Sequence, residues 1–341
     1  MGKYIYEGVK DFDLDNIFDC GQCFRWSRQP DGSYTGIARG KIVNMSLQKG
    51  PAGEQAGRYA ESRTAVPPES RTAVPPESRT AVPPESRTAV PPENRTAVPP
   101  ENRTDLVIDN CTEEDFQKIW RPYLDLDRDY GAIKSKLSES DDVMAKAIQG
   151  GSGIRILRQE LWETMVSFII SQNNNIPRIK GCIENLSRLF GRPAGEYRGT
   201  EYFNVPSAEV MANLTAGDLA PCRLGYRAPY LVETARQVMA KGGIEAVAAE
   251  LEAAATPEEA CRYLMEFQGV GPKVASCIAL FGLGRLEAFP VDVWVRRVMN
   301  RLYGIDEKDI KGMNAYAAEH FGENGGIAQQ YLFYYIRGLD E

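Results

Sequence analysis

The stretch that most limits the possible folds consists of two apolar helical segments joined by Gly269-Val270-Gly271-Pro272. Two glycines so close together allow a sharp bend and the close approach of another molecule, both of which side chains would obstruct. Pro272 and then Lys273 open the second segment, in the first turn of the predicted helix. The pattern predicts a helix-hairpin-helix, whose exposed backbone amides can hold an anion such as a phosphate.

A carboxylate stands at the predicted start of the next helix. Asp292 follows Pro290 and precedes a segment that ends near Tyr303. A lysine and a carboxylate at two helix starts would face one cleft, where the amine can act as a nucleophile and the carboxylate can take a proton or stabilise a positive charge. The residues equally fit a simpler interpretation, in which Lys273 contacts a phosphate, Asp292 only caps its helix and the hairpin grips a DNA backbone.

Composition and cysteine usage restrict the class of protein. The chain has 341 residues, 43% of them hydrophobic, and a formal net charge of −7, which argues against coating nucleic acid but leaves room for a local basic face. Seven cysteines without disulfide-like spacing favour a reducing cytoplasm. Cys20-Gly-Gln-Cys23 is a lone pair and His320 the single histidine, so we expect no metal site. The sequence has no apolar leader or long apolar run, so we expect neither secretion nor membrane insertion.

Residues 61–104 contain five copies of the octapeptide Glu-Ser/Asn-Arg-Thr-Ala-Val-Pro-Pro and the start of a sixth. An eight-residue unit is too short for a repeat with its own core, and the paired prolines exclude helix and central strand. We predict a disordered or polyproline-like insertion that joins two neighbouring strands. It is either a tether or proline-motif ligand, whose partner is unknown, or a duplicated tract that a surface loop tolerates.

Together these patterns predict an α+β fold that is mainly α. Residues 1–111 are expected to form a small N-terminal antiparallel sheet domain, interrupted by the insertion. Its predicted strands lie at 22–26, 34–37, 42–47 and 105–109. Residues 112–341 are expected to be helical almost throughout, beginning at the helix-start signal Thr112-Glu-Glu-Asp and containing the helix-hairpin-helix at 257–282.

Five stretches of the sequence make the chain resemble a known family. Leu264–Ala275 followed by Val291-Asp292 resembles the helix-hairpin-helix, Gly/Pro-rich loop, Asp superfamily of DNA glycosylases. Cys20–Trp26, Ser171–Ile179 and Leu224–Ala228 resemble, in order, the Gly-Gln-x-Phe-Arg-Trp stretch, the asparagine-rich corner and the wedge loop of the 8-oxoguanine DNA glycosylase family. The resemblance spans nearly everything outside the repeats.

The resemblance implies a bifunctional DNA glycosylase and AP lyase of base excision repair. Such an enzyme flips the damaged base out of the duplex before it acts. Lys273 would attack C1′, expel the base and leave a Schiff base that undergoes β-elimination. Asp292 would stabilise the oxocarbenium-like transition state and help the proton transfers.

Four residues would form the base pocket by the same resemblance. The backbone carbonyl of Gly21 would accept a hydrogen bond from the N7 hydrogen that 8-oxoguanine has and guanine lacks, so that guanine is rejected. Cys277 and Phe333 would lie on opposite faces of the flipped base. Gln329 would contact its Watson-Crick edge.

The remaining residues implied by the resemblance contact DNA. Asn173 would fill the gap left by the flipped base, with Tyr226 as a wedge beside it, and Arg178 and Arg227 would contact the opposite cytosine. The full set is Asn173, Arg178, Tyr226, Arg227, Gly269, Gly271 and Trp294. Trp294 is a departure, because animal members carry a histidine there, near the scissile phosphate.

The implied partner is duplex DNA containing oxidised guanine, bound by a monomer in the cytoplasm, on the nucleoid if the protein is bacterial. No redox cofactor is expected, although the superfamily allows a structural cation at the hairpin turn. No cysteine follows Cys277, so the four-cysteine iron-sulfur cluster of the endonuclease III branch cannot form in its usual place. Two alternatives stay open: a glycosylase for alkylated purines, a branch that generally lacks the hairpin lysine, and a non-catalytic helix-hairpin-helix protein that only binds DNA.

Overall fold

The computed structural model describes residues 2–50, 103–139 and 141–340. The predicted insertion therefore lies outside the described residues, except for Arg103 and Thr104. Thr104 is already the first residue of a strand, so the boundary that the sequence pattern placed after Thr104 has to move before it.

The N-terminal part of the chain forms a five-stranded antiparallel sheet with the order β1-β5-β4-β3-β2. The strands are β1 (Lys3–Tyr6), β2 (Trp26–Arg28), β3 (Tyr34–Ala38), β4 (Lys41–Lys49) and β5 (Thr104–Asp109). β4 pairs with β5 in the register Asn44↔Asp109 to Lys49↔Thr104. The prediction that the strands on either side of the repeats are neighbours is thus confirmed.

The predicted strand at 22–26 is wrong, because only Trp26 belongs to β2. A short helix, α1 (Leu14–Phe18), precedes it and was not predicted. The chain cannot stay extended here, since Gly21 has a φ of +79° and turns the backbone. The Gln22 side chain is then fully buried, at a position where a buried strand would carry an apolar side chain.

The chain beyond Thr112 is mainly helical, as predicted. The helices are α2 (Glu113–Asp115), continued by a π-helical turn (Phe116–Trp120) and α3 (Arg121–Tyr123), then α4 (Tyr130–Ser138), α5 (Asp142–Gly150), α6 (Leu161–Ser171), α7 (Ile176–Phe190), α8 (Ala208–Ala212), α9 (Ala228–Ala240), α10 (Ile244–Ala253), α11 (Pro257–Leu264), α12 (Pro272–Leu283), α13 (Val293–Tyr303), α14 (Ile310–His320) and α15 (Gly325–Asp340). Among the described helices, none is long and apolar enough to cross a membrane.

One element breaks the helical pattern. β6 (Pro193–Tyr197) and β7 (Thr200–Phe203) form a separate antiparallel hairpin, which the sequence analysis missed. Its turn is made by Arg198 and Gly199, both at positive φ. Tyr197 buries its ring against Ile37 and Ile42 of the N-terminal sheet, so the hairpin packs across from the helical body onto that sheet.

Arg155 ties the N-terminal part to the helices. Its side chain is 4% exposed and donates hydrogen bonds to the carbonyl oxygens of Lys10, Asp11 and Asp125, at 2.8, 2.9 and 2.6 Å. A buried guanidinium is stable only when its donors are paired, as they are here. The segment that follows leads directly into α6 and the functional site.

The β4–β5 ladder predicts how the repeats can be removed. Gly50 N donates to Arg103 O at 2.7 Å, and Arg103 also contacts Glu7 and Asp105. Joining Gly50 to Arg103 through a two-residue Asn-Gly turn should leave the melting temperature equal or higher, because a shorter connection costs less closure entropy. Thermal unfolding measures this.

A second deletion provides the control. Removing residues 61–104 also removes Arg103 and Thr104, and we expect a lower melting temperature because β5 and the Arg103 contacts are damaged. If the deletion that stops before Arg103 is equally destabilising, the hairpin closure deduced from the ladder is incorrect.

Candidate active site

A cavity of about 510 Å³ lies where the N-terminal part meets the helices. This volume is in the range of small-molecule binding sites. The six residues predicted for catalysis and base binding all contribute to its wall, together with Trp294: Gly21, Lys273, Cys277, Asp292, Gln329 and Phe333. Gly21 and Phe333 thus line the same cavity, although they lie more than 300 positions apart in the chain.

The hairpin is present where it was predicted, between α11 and α12. Gly269 has a φ of +78°, and a Cβ there would lie 2.7 Å from the Tyr230 side chain, so only glycine fits. Gly271 is different, because a Cβ there would meet nothing within 4 Å. Its backbone is extended, and it is the N-cap of α12.

α9 supports the hairpin from behind. The Thr234 hydroxyl donates to Gln268 O at 2.7 Å, and Gln268 N donates to the Gln237 side chain at 2.7 Å. The turn is therefore held by side chains from a neighbouring helix as well as by its own backbone. This rigidity keeps the amides around Gly271 in a fixed arrangement.

Lys273 lies in the first turn of α12 and its amine points into the cavity wall. The Nζ atom is 5.3 Å from the centre of the Phe168 ring, a cation–π distance. No carboxylate of the described residues lies within ion-pair distance of this amine. The apolar neighbour and the lack of an ion-pair partner leave the nitrogen available to a ligand in the cavity.

Asp292 is the N-cap of α13, and its Oδ1 accepts a hydrogen bond from Val295 N at 2.8 Å. Burial raises the pKa of this carboxyl group, while the Val295 amide and the charge of Lys273 oppose the rise only in part. The capping role and a role in the site are therefore compatible. One oxygen holds the helix, and the side chain still lines the cavity.

The residues predicted to bind the base form the opposite part of the cavity. A Cβ at Gly21 would be 3.5 Å from the Phe333 ring, so the two residues are in close contact. Cys277 lies one helical turn after Lys273 and on the same face of α12. Burial raises the pKa of the Cys277 thiol, which the nearby Lys273 lowers only in part, so the thiol is a neutral, small and apolar wall.

Two glutamines that the sequence analysis did not assign also belong to the site. Gln22 is fully buried; its Nε2 donates to Ile17 O and Arg155 O at 2.9 and 2.8 Å, and its Oε1 accepts from Leu157 N at 2.8 Å. It fixes the peptide next to Gly21. The Gly-Gln pair in the family stretch was the signal, but only its glycine was assigned. The second is Gln330, whose Nε2 donates to Gln329 Oε1 at 3.0 Å.

Apart from Trp294, the predicted DNA-contacting residues lie outside the cavity wall, mostly on an exposed rim. Asn173 is exposed with a positive φ of 46°, Arg178 is exposed, and the Tyr226 side chain is 50% exposed. Gln172 connects this rim to the hairpin, since its Nε2 donates to Gly269 O at 2.9 Å and its carbonyl accepts from the Tyr226 hydroxyl at 3.2 Å. The structure therefore brings the rim and the hairpin together.

Arg227 differs from the other rim residues, because it is only 3% exposed. Its guanidinium donates to Gln172 O, to Asn173 O at 2.8 Å and to Leu224 O at 3.2 Å. In this structure the side chain holds the asparagine-rich corner from inside. Nothing in the local sequence indicates that three carbonyl oxygens converge on it.

Trp294 at the edge of the cavity stacks with an arginine. The Arg297 guanidinium lies over the indole at 4.7 Å, three residues further along α13. The edge of the cavity thus carries a cation held on an aromatic face. In the described part of the chain, no group of three or more His, Cys, Asp or Glu side chains is arranged to hold a metal ion.

Residues 166–322, which include the hairpin, Lys273 and Asp292, match the HhH-GPD superfamily of base excision DNA repair proteins. The fold is that of this class of protein. Residues 5–165 match the N-terminal domain of 8-oxoguanine DNA glycosylase. The chain belongs to the 8-oxoguanine DNA glycosylase family, which confirms the resemblance found in the sequence.

Individual relatives agree with this assignment. The probable N-glycosylase/DNA lyase of Methanothermobacter thermautotrophicus is 32% identical over 217 residues, 58% of this chain and 68% of that protein. The N-glycosylase/DNA lyase of Saccharomyces cerevisiae is 40% identical over 173 residues, which span 49% of this chain and only 46% of that protein. The Clostridium acetobutylicum 8-oxoguanine glycosylase/lyase, solved with DNA containing cytosine opposite 8-oxoguanine, is 36% identical, with a TM-score of 0.77 over 100% of this chain and 97% of its own.

The two hairpin glycines predict different mutational effects. Gly269→Ala should lower the free energy of unfolding by on the order of 2–3 kcal/mol, because of the positive φ and the clash with Tyr230. Gly271→Ala should change it by less than about 0.5 kcal/mol but weaken duplex binding, because the methyl group covers the exposed turn amides. Urea unfolding and DNA titration separate the effects. Unimpaired duplex binding by Gly271→Ala would show that these amides do not meet the phosphate.

The buried carboxylate predicts a pH-dependent stability difference. The raised pKa of Asp292 means that its contribution is most favourable at low pH, where it is protonated, and is lost as pH rises through the folded-state pKa. Asp292→Asn keeps an N-cap without a charge, so it should be as stable as or more stable than the native protein at pH 7, and the difference should shrink toward pH 4. The control is Asp309→Asn, an exposed N-cap on α14. A loss of stability at pH 7 from Asp292→Asn alone would contradict the prediction.

Proposed function

We propose that this protein is a bifunctional DNA glycosylase and AP lyase that excises 8-oxoguanine paired with cytosine from duplex DNA. The observation that carries the proposal is one cavity that combines Lys273 and Asp292 with a base-sized pocket walled by Gly21 and Phe333. The names of the relatives, N-glycosylase/DNA lyase and 8-oxoguanine glycosylase/lyase, support both activities.

The proposed chemistry uses two side chains. The amine nitrogen of Lys273 bonds to C1′ as the bond from C1′ to the base N9 breaks, and the base leaves with a proton. Asp292 stabilises the positive charge that develops on the sugar in the transition state. Opening of the sugar ring gives an imine between Lys273 and C1′, and loss of a C2′ proton then expels the 3′ phosphate by β-elimination. These steps need no cofactor, and we propose none.

Base selection is assigned to the opposite wall. The carbonyl of Gly21 accepts the N7 hydrogen of 8-oxoguanine, and the N7 lone pair of guanine would repel it. Phe333 and Cys277 sandwich the ring, and Gln329 contacts its Watson-Crick edge. The close contact between Gly21 and Phe333 supports this arrangement, because one residue provides the edge contact and the other the face.

DNA binding is assigned to the rim and the hairpin. The amides near Gly269 and Gly271 hold a phosphate, while Asn173 and Tyr226 occupy the gap in the duplex. Arg178 and Arg227 contact the opposite cytosine. Since Arg227 donates to the carbonyls of Gln172 and Asn173 in the free protein, it has to exchange at least one of these partners when it does so.

We further propose that Trp294 and the stacked Arg297 together take the place of the family's histidine beside the phosphate. The protein would act as a monomer on duplex DNA and would not bind a membrane. It would be located in the cytoplasm, and on the nucleoid in a bacterium. A structural cation at the hairpin turn would have to be held by backbone carbonyls.

Borohydride trapping on a duplex containing 8-oxoguanine opposite cytosine tests the proposal. The native protein should form a covalent adduct, and Lys273→Gln should form none while still binding the duplex, because no amine reaches C1′. Lys311→Gln, on the exposed side of α14, is the matched control and should trap normally. An adduct that persists in Lys273→Gln would rule out this nucleophile.

The choice of base is tested with the native protein. Excision should be faster for 8-oxoguanine than for 7-methylguanine or 3-methyladenine, and fastest opposite cytosine among the four bases. Equal excision of the alkylated purines would favour the alkylated-purine branch. Duplex binding without excision of any base would favour a protein that only binds DNA.

A further inference from the structure

Two consecutive glutamines lie in the wall of the cavity on α15. Gln329 is 3% exposed and Gln330 4%, and both contribute to the cavity wall. Glutamine is seldom buried so completely. Among the described residues, the side chains of this pair hydrogen-bond only to each other, through Gln330 Nε2 and Gln329 Oε1 at 3.0 Å. The two amides therefore act as one unit.

A carboxamide has an acceptor end and a donor end of nearly the same shape, so its orientation decides what it can bind. Gln330 donates to the oxygen of Gln329 and holds that end. The donor end, Gln329 Nε2, is then the end that a ligand can use. An amide donor matches the O6 acceptor of a guanine-type base and mismatches the N6 amino group of an adenine-type base.

The oxygen end of the Gln330 carboxamide shows that this arrangement is energetically unfavourable in one respect. Its Oε1 is buried without a hydrogen-bond partner among the described residues. Buried polar atoms are nearly always paired, and an apolar side chain of the same size would fill this place without an unpaired acceptor. A buried glutamine at this position is explained if its donor group has a function, and among the described residues the one acceptor that this donor contacts is Gln329 Oε1.

We propose that Gln330 is a positioning residue that sets the orientation of the Gln329 carboxamide and thereby selects 8-oxoguanine over 8-oxoadenine. The inference rests on the proposed function. 8-Oxoadenine also carries a hydrogen on N7, so the carbonyl of Gly21 does not distinguish the two oxidised purines. The distinction between O6 and N6 has to be made at the Watson-Crick edge, where the oriented donor of Gln329 lies.

Gln330→Met tests the proposal, because methionine has a similar volume and no hydrogen-bond donor. Single-turnover excision of 8-oxoguanine should fall about tenfold, and the preference for 8-oxoguanine over 8-oxoadenine should narrow by a similar factor, as Gln329 is free to turn its amide. Cleavage of a preformed abasic duplex should stay within about twofold of the native rate, because an abasic site has no base to recognise.

Repeating the Gln330→Met substitution in a Gln329→Met variant shows whether Gln330 acts through Gln329. In Gln329→Met, the additional change Gln330→Met should have no further effect on excision, since no amide remains to be oriented. An equal loss in both backgrounds, a parallel loss of abasic cleavage, or an unchanged ratio of 8-oxoguanine to 8-oxoadenine excision would each overturn the proposal. The ratio is measured within one preparation, so a smaller folded fraction does not affect it.

A failure of the proposed function can be distinguished from a failure of the role proposed for Gln330. If the native protein does not excise 8-oxoguanine, the function is incorrect. If it does excise 8-oxoguanine and Gln330→Met keeps the native selectivity, only the role of Gln330 is incorrect.

Discussion

The buried amide of Gln22 is the interaction on which the site depends. Its side chain joins α1 to the segment around Arg155, and its backbone carbonyl accepts from Gln159 Nε2 at 2.7 Å. Gln159 N in turn donates to Phe281 O on α12 at 2.8 Å. Two hydrogen bonds thus lead from the peptide after Gly21 to the helix that carries Lys273. The distance between the Gly21 carbonyl, proposed to select the base, and Lys273, the proposed nucleophile, is fixed by buried polar contacts, which lose much of their free energy if one partner is missing.

The rim is held in a similar way, but with partners that DNA can replace. Gln172 connects the hairpin to the corner that carries Asn173, and Arg227 fastens the same corner through backbone carbonyls. Asn173 is kept at a positive φ, which is unfavourable for most residues but tolerated by asparagine. A guanidinium that is satisfied in the free protein can exchange its partners without being left unpaired. Cytosine recognition and movement of the corner are therefore linked in the proposed function.

The hairpin, Lys273 and Asp292 could be predicted from the sequence because their geometry is local. Two glycines, a proline and a helix cap determine it within a few residues. The residues of the base pocket were found only through the resemblance, since Gly21 and Phe333 meet by tertiary packing. Gln22 and Gln330 were not assigned because the sequence does not show whether a glutamine is buried. The burial of Arg227 could not be predicted for the same reason. Gly199 was a usable sequence signal for the turn of the β6–β7 hairpin. It was missed because the segments on either side are helical.

In the proposed function, the position of Asp292 resolves a conflict between holding DNA and cleaving the glycosidic bond. Lys273 in α12 and Asp292 with Trp294 in α13 bring the starts of two helices to one cavity. Helix N-termini carry partial positive charge, roughly half an elementary charge each, which attracts phosphate but opposes a cationic sugar. A full negative charge at the start of α13 reverses the local sign where the proposed mechanism places the sugar cation. Burial makes this carboxylate costly, as its raised pKa shows, and the Val295 amide offsets part of that cost. Under this proposal the hairpin remains attractive to phosphate, because the neighbouring helix supplies the negative charge that stabilises the sugar.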